Sequence, residues 1–196
     1  MKTLGQIEPQ LLVVALFSRH EGALEWGLAR LGDRFGPIQL RSPLLEFHHT
    51  RYYEPTMGSG LRKVLVAHER LVPMDGLADI KRTTIVLEAE LQHRGCFPES
   101  RPLNLDPGLL GLGKFCLATT KDQAHRIYLR DGIFAEVTLQ FRDKAFHPNP
   151  WTYPDYREPA VLEFLQEARS WFATNRHSKS LPSRSASSAS AAGDQG

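Results

Sequence analysis

Asp106, His125 and Glu136 are the side chains of this sequence best suited to act on a bound molecule. Asn104, Lys121, Asp122, Arg126 and Tyr153 stand around them in the same stretch. A carboxylate can serve as a base or a substrate ligand, an imidazole can carry a proton near neutral pH, and clustered lysine and arginine can hold a phosphate or carboxylate. The clustering points to a pocket for a small anionic ligand such as a nucleotide or a sugar phosphate. Glu136, Asp106 and His125 are then the catalytic candidates, and Asn104, Lys121, Asp122, Arg126 and Tyr153 the ligand-binding ones.

Each group also has a plainer reading. Asp106 precedes Pro107-Gly108, and an Asx-type turn, in which its carboxylate holds the following backbone, is favoured over a ligand role. Lys121, Asp122, His125 and Arg126 lie in one connection and could form a solvated turn with an internal ion pair. Glu136 falls mid-strand beside apolar residues, where burial costs free energy unless a cation compensates, and His125, Lys121 or Arg126 is in reach. Burial alone would raise its pKa toward that of a general base, whereas pairing would lower it. Structural pairing is favoured, because edge strands also use charge against aggregation.

The elements that must position these groups follow from hydrophobic pattern. Leu11–Phe17 is a continuous apolar run, as expected of a central strand buried on both faces. Ser18 and Glu21 have capping-box spacing ahead of a helix carrying Leu24, Leu28, Leu31 and Phe35 and stopped at Gly36-Pro37. A second strand over 38–45 is interrupted at Pro43, and the chain is expected to stay extended to Glu54. A third strand covers 63–71. A second helix, with Asp75 as cap, buries Leu77, Ile80, Thr84, Leu87 and Leu91 and turns Lys81, Arg82, Glu88 and Glu90 outward. A short extended piece at 103–105 and a strand over 114–120 come next.

Asp131-Gly132 between β-rich runs predicts a two-residue hairpin that sets Leu129 against Phe134, Ile127 against Glu136 and His125 against Thr138. Glu136 and His125 then share a face, with Tyr128, Ala135, Val137, Leu139 and Phe141 on the core face. Residues 151–156 form an aromatic clasp over the sheet. A last helix from Pro159 carries Val161, Phe164, Leu165, Ala168, Trp171 and Phe172. The order strand, helix, strand, strand, helix, strand predicts an α+β fold. Its expected form is a ferredoxin-like split βαβ sheet extended by a β-hairpin, with helices on one face and a C-terminal helix. One globular domain is expected over 1–175, followed by a disordered Ser/Ala-rich tail over 176–196.

Composition narrows the function. The net charge of +2 resides in the tail, where Arg176, Lys179 and Arg184 face Asp194, so the body is balanced and nucleic acid is not an expected partner. No apolar run reaches about 18 residues, so no membrane span is expected. Cys96 and Cys116 have no C-x-x-C spacing, which suits a reduced, cytoplasmic protein. Neighbouring His48 and His49 would point to opposite faces of a strand and are poorly placed to share a metal, so no zinc site is expected there. Tyr52, Tyr53, Trp151, Tyr153 and Tyr156 could stack on a base or sugar, although a core finished by aromatics is the commoner use. The sequence names no cofactor, reaction or oligomeric state.

Several motifs resemble those of domain-of-unknown-function family 4416. They are Asn-Leu-Asp-Pro-Gly at 104–108, Ala-Thr-Thr-Lys-Asp at 118–122, His-Arg-Ile-Tyr-Leu at 125–129, Ala-Glu-Val-Thr-Leu at 135–139 and Trp-Thr-Tyr-Pro-Asp-Tyr at 151–156. Tyr52-Tyr53-Glu54, Met57-Gly58 and Phe35-Gly36-Pro37-Ile38 also resemble it, so the likeness covers residues 10–170; His48-His49 and Leu109 depart from it. The resemblance implies a bacterial or archaeal protein without an assigned activity, in a family of which some members carry a GTP-binding label. Gly108, Gly113 and Lys114 match P-loop spacing, but Phe115 stands where the Mg²⁺-binding hydroxyl must be, and a strand is expected after the lysine. A ligand-binding or enzymatic pocket therefore leads. A non-catalytic interaction module and a single-stranded RNA binder are the alternatives.

Overall fold

A computed structural model describes residues 7–47 and 53–177. It is an α+β protein with one antiparallel open sheet. The strands are β1 (Gln10–Ser18), β2 (Ile38–Arg41), β3 (Leu45–Glu46), β4 (Arg62–Val72), β5 (Asn104–Leu110), β6 (Lys114–Thr119), β7 (Ile127–Arg130), β8 (Ile133–Arg142) and β9 (Ala145–Pro148). The helices are α1 (Glu21–Phe35), α2 (Glu54–Met57), α3 (Leu77–His93) and α4 (Pro159–Asn175). Strand order is β2-β4-β1-β5-β6-β8-β7, with β3 added to β4 and β9 to β8.

The sheet divides two apolar layers. Leu12, Val14 and Leu16 of β1 pack on Leu24, Leu28 and Leu31 of α1 and on Ile80, Leu87 and Leu91 of α3. The alternate residues Leu11, Val13, Ala15 and Phe17 face the other side, where Val161, Phe164, Leu165, Ala168 and Phe172 of α4 close the core. Period-2 alternation on β1 thus serves two helical layers at once, which explains its unbroken apolar sequence.

Several local expectations are corrected. Ser18 does not cap α1: its buried hydroxyl donates to Pro102 O and accepts from His20 N, and His20 is the N-cap. Asp75 lies in a 3₁₀ turn (Met74–Gly76), and Gly76 precedes α3. Glu54 is helical rather than extended. His48, His49, Tyr52 and the tail from 178 onward lie outside the described residues. The hairpin forms, with Asp131 at φ 55° and Gly132 at φ 75° as a primed turn demands. Its register slips between Tyr128 and Arg130, so Ile127 meets Ala135 and Tyr128 meets Phe134. A second irregularity sets Phe115 on Leu139 but Cys116 on Val137, leaving Thr138 as the extra residue. Alternation therefore breaks within β8, and Glu136 and Leu139 are both buried.

The feature that positions the site is a parting between β5 and β6. They pair from Leu110/Phe115 to Gly108/Leu117 and no further. The next residue of β5 is Pro107, which has no N–H to extend the ladder. Gly108 is required at the last pair: a Cβ there would lie 2.7 Å from Cys116 O and from the Phe115 ring. Because a backbone carbonyl cannot swing aside, Gly108→Ala is expected to cost ~1–3 kcal/mol of stability, read from the midpoint and slope of urea unfolding.

Candidate functional site

Beyond Gly108, β5 turns its outer edge to α3. Leu105 N–H donates to Glu88 Oε1 at 2.8 Å, and Leu105 C=O accepts from Lys81 Nζ at 2.8 Å. Two side chains of α3 thereby satisfy the backbone groups that a neighbouring strand would have used. The same Lys81 amine lies 3.1 Å from Asp106 Oδ1, while Asn104 Nδ2 donates to Asp106 Oδ2 at 2.9 Å. Arg101 bonds both Asn104 Oδ1 and Glu88 Oε2. The expected Asx turn at Asp106 is absent, because the residue is in a strand and its carboxylate is held by Lys81 and Asn104. Lys81, expected on the solvent face of its helix, is 5 % exposed.

These groups open onto a cavity of about 440 Å³, within the range of small-molecule sites. Its floor follows from the register. Phe17 sits between Lys63 of β4 and Asn104 of β5, and Leu117 of β6 lies beside Glu136 of β8. Phe47 and Tyr53 form one wall, and the segment Tyr153–Tyr156 forms the other. Phe17 and Phe47 meet edge to face at 4.8 Å, and Tyr53 stacks at 6.4 Å from Phe17.

Of the sequence-derived candidates, Asn104, Asp106, Lys121, Arg126, Glu136 and Tyr153 all line this cavity. His125 stands behind the wall, its Nε2 3.2 Å from Glu136 Oε2 and its ring stacked on Trp151 at 5.2 Å. Asp122 is exposed and does not line the cavity. Glu136 is buried, and Oε2 takes Arg126 Nε at 2.8 Å as well as His125. Arg126 then reaches Lys121 O at 3.0 Å and Tyr153 OH at 2.9 Å, tying the loop before β7 to the opposite wall. Burial opposes the charge on Arg126, but the hydrogen bonds to Glu136 and Tyr153 dominate and push its pKa up.

Sequence reasoning missed Lys63, Lys81, Arg101 and Asp155. Lys63 Nζ lies 2.6 Å from Asp155 Oδ2 and 3.7 Å from the Tyr156 ring centroid, with the side chain 2 % exposed. Burial lowers its pKa against the pull of Asp155. A lysine followed by four apolar or small residues in a central strand was the available signal, since a buried amine must find a carboxylate. Tyr53 and Tyr156 are both shifted upward, chiefly by burial and then by nearby carboxylates. Burial also raises Glu88 despite Lys81 and Arg101. For Asp106 burial acts upward, but Lys81, Asn104 and Arg101 together bring it below its ordinary 3.8.

Among the described residues, no three His, Cys, Asp or Glu side chains group closely enough to hold a metal ion. The P-loop-like run is strand, turn, strand: Gly111 N donates to Lys114 O, and Leu112 O is taken by Arg169 of α4. It lies at the end of β5 away from the cavity.

A family model described as a domain of unknown function, DUF4416, matches residues 8–172. The chain belongs to this family. No curated protein matches it. The DUF4416 match runs from before β1 into the last turn of α4, so both walls of the cavity and its floor fall within the family's extent. No described helix of this DUF4416 chain is long and apolar enough to cross a membrane.

Two outcomes follow from these pairs. Lys63→Met alone strands Asp155 and is expected to cost ~3–5 kcal/mol, while Lys63→Met with Asp155→Leu recovers most of that loss, as measured by a double-mutant cycle in urea. The depressed Asp106 pKa adds stability that is complete above 3.8 and drains as pH falls through 3.8 toward the folded-state value. Asp106→Asn should flatten that acid limb, which unfolding midpoints followed below neutrality will test.

Proposed function

We propose that the cavity binds a small anionic ligand of the nucleotide or sugar phosphate class. One observation carries this reading: Lys81 of α3, Arg101 of the loop before β5, and Lys121 and Arg126 of the loop between β6 and β7, three separate segments, converge on one cavity that also has aromatic walls. Cations fixed by partners lose little on binding and offer charge-assisted donors to phosphate or carboxylate oxygens. Asp106 is the carboxylate best placed to touch a ligand, since its side chain keeps 27 % exposure while that of Glu136 keeps 1 %. Its depressed pKa makes it a poor proton acceptor near neutrality, so it orients and stabilises rather than acting as a general base. Glu136 and His125 position Arg126 and the loop before β7.

The order β2-β4-β1-β5, antiparallel with α1 and α3 on one face, supports reading the core as a ferredoxin-like split βαβ sheet to which β6 to β9 are added. Free Cys96 and Cys116 suit a reducing cytoplasm. A single-stranded RNA site on the sheet face fits less well, because helices cover both faces. A second reading has one observation in its favour: edge strand β7 exposes Ile127, Tyr128 and Leu129, which suits an interaction module.

The test is thermal unfolding with inorganic phosphate, ribose 5-phosphate and AMP. Binding raises the midpoint with ligand concentration by mass action. Lys121→Ala should shrink that rise while shifting the unliganded stability by no more than about 0.5 kcal/mol, as for an exposed residue. No rise with any of the three sinks the reading.

A further inference from the structure

The cations of this cavity are paired, and a fixed ion pair recognises something different from a bare cation. Lys81 Nζ stands 3.1 Å from Asp106 Oδ1, and Arg126 Nε 2.8 Å from Glu136 Oε2. Asp155 lines the cavity with its Oδ2 held by Lys63, and no described residue bonds its Oδ1. Donor and acceptor thus lie side by side. A hydroxyl donates one hydrogen bond and accepts up to two, so a single hydroxyl, or two on adjacent carbons, satisfies both members of such a pair. A phosphate oxygen only accepts, and against the same pair it meets the carboxylate's repulsion.

The charge count sets how much phosphate the site tolerates. Lys81, Arg101, Lys121 and Arg126 face Asp106, Glu136 and Asp155 across the cavity, an excess of one positive charge. That suits one phosphate and opposes a di- or triphosphate, whose charge would go largely uncompensated. The aromatic wall points the same way. Phe17 and Phe47 meet edge to face and Tyr53 stacks on Phe17, so the three rings are packed on one another and offer the cavity one small apolar surface. The C–H face of a sugar ring needs only such a surface.

We infer that the ligand is a sugar monophosphate whose hydroxyls are read by the carboxylate–cation pairs, with Lys81–Asp106 at their centre. This rests on the anionic-ligand reading above and selects among its members. The charge count disfavours a nucleoside triphosphate, and the paired carboxylates favour a hydroxyl-bearing ligand over a bare anion.

Calorimetric titration of the full chain with four probes tests it: inorganic phosphate, ribose 5-phosphate, 2-deoxyribose 5-phosphate and a 2′,3′-dideoxynucleoside monophosphate. Ribose 5-phosphate should bind about tenfold or more tighter than inorganic phosphate and the dideoxynucleotide, with the deoxy sugar between, the size expected for a charge-assisted hydrogen bond. Asp106→Asn should weaken ribose 5-phosphate and strengthen inorganic phosphate, because the same carboxylate attracts a hydroxyl and repels an anion. The comparison of sugars in the unaltered chain stands even if that variant does not fold. Equal affinity for phosphate and ribose 5-phosphate, or tightest binding of the dideoxynucleotide, overturns the sugar assignment and leaves the anionic-ligand reading intact. Silence from all four overturns both.

Discussion

Everything about the site descends from the place where β5 and β6 stop pairing. A sheet cannot simply open inside a protein, because each freed N–H and C=O in the interior must find another partner. Here the partners are side chains of α3: Glu88 takes Leu105 N–H, and Lys81 takes Leu105 C=O. That substitution draws a lysine from the face of the sheet lined by α1 and α3 toward Asp106 at the parting. Pro107 ends the ladder and Gly108 lets Phe115 close against the last paired residue, so the Asp-Pro-Gly sequence is a hinge in the sheet rather than a turn.

Once the sheet is parted, electrostatics decides what can line the gap. An isolated carboxylate or ammonium in such a place would lose several kcal/mol of hydration and shed its charge instead. The protein answers by burying charges in pairs: Lys63 with Asp155, Lys81 with Asp106, Arg126 with Glu136. Such pairs add little net stability over apolar residues of the same shape, but removing one partner of any of the three would leave a buried charge uncompensated. Asp106 shows the balance directly. Burial would raise its pKa, yet Lys81, Asn104 and Arg101 outweigh it and keep the carboxylate charged at the cavity wall.

The sequence carried more of the architecture than of the site. β1, α1, β4, α3, the hairpin and α4 were all legible from period and turn chemistry, because those signals are local. The two register slips in β8 were not, and they matter: shifting by one residue sets Glu136 beside Arg126 instead of opposite Ile127. The polar residues of 104–136 were found by type and proximity. Lys81 escaped because helical periodicity reads a lysine next to Ile80 as solvent-facing, and nothing local says that the sheet beside it is open. Lys63 and Asp155 are 92 residues apart, a pairing visible only once β4 and the turn after Tyr153 are brought together.

The cavity survives folding because irregular chain, not helix, closes that end of the sheet. Helix α4 begins only at Pro159, after a 3₁₀ turn over Pro154–Arg157 has crossed the floor. A helix laid there would have filled the space with apolar side chains, as α4 does around Phe115 and Leu139. The crossing segment is nonetheless rigidly tied. Arg157 bonds the carbonyls of Thr152, Asn149 and Pro150, Asn149 and Trp151 donate to Val137 O, and the Thr152 hydroxyl reaches Thr138 O. Those last bonds also occupy the stretch of β8 left bare between β7 and β9. One segment thus seals a sheet edge and walls a pocket, and the side chains it presents to that pocket already have their geometry. The ordering cost that weakens binding to mobile loops has been met in folding.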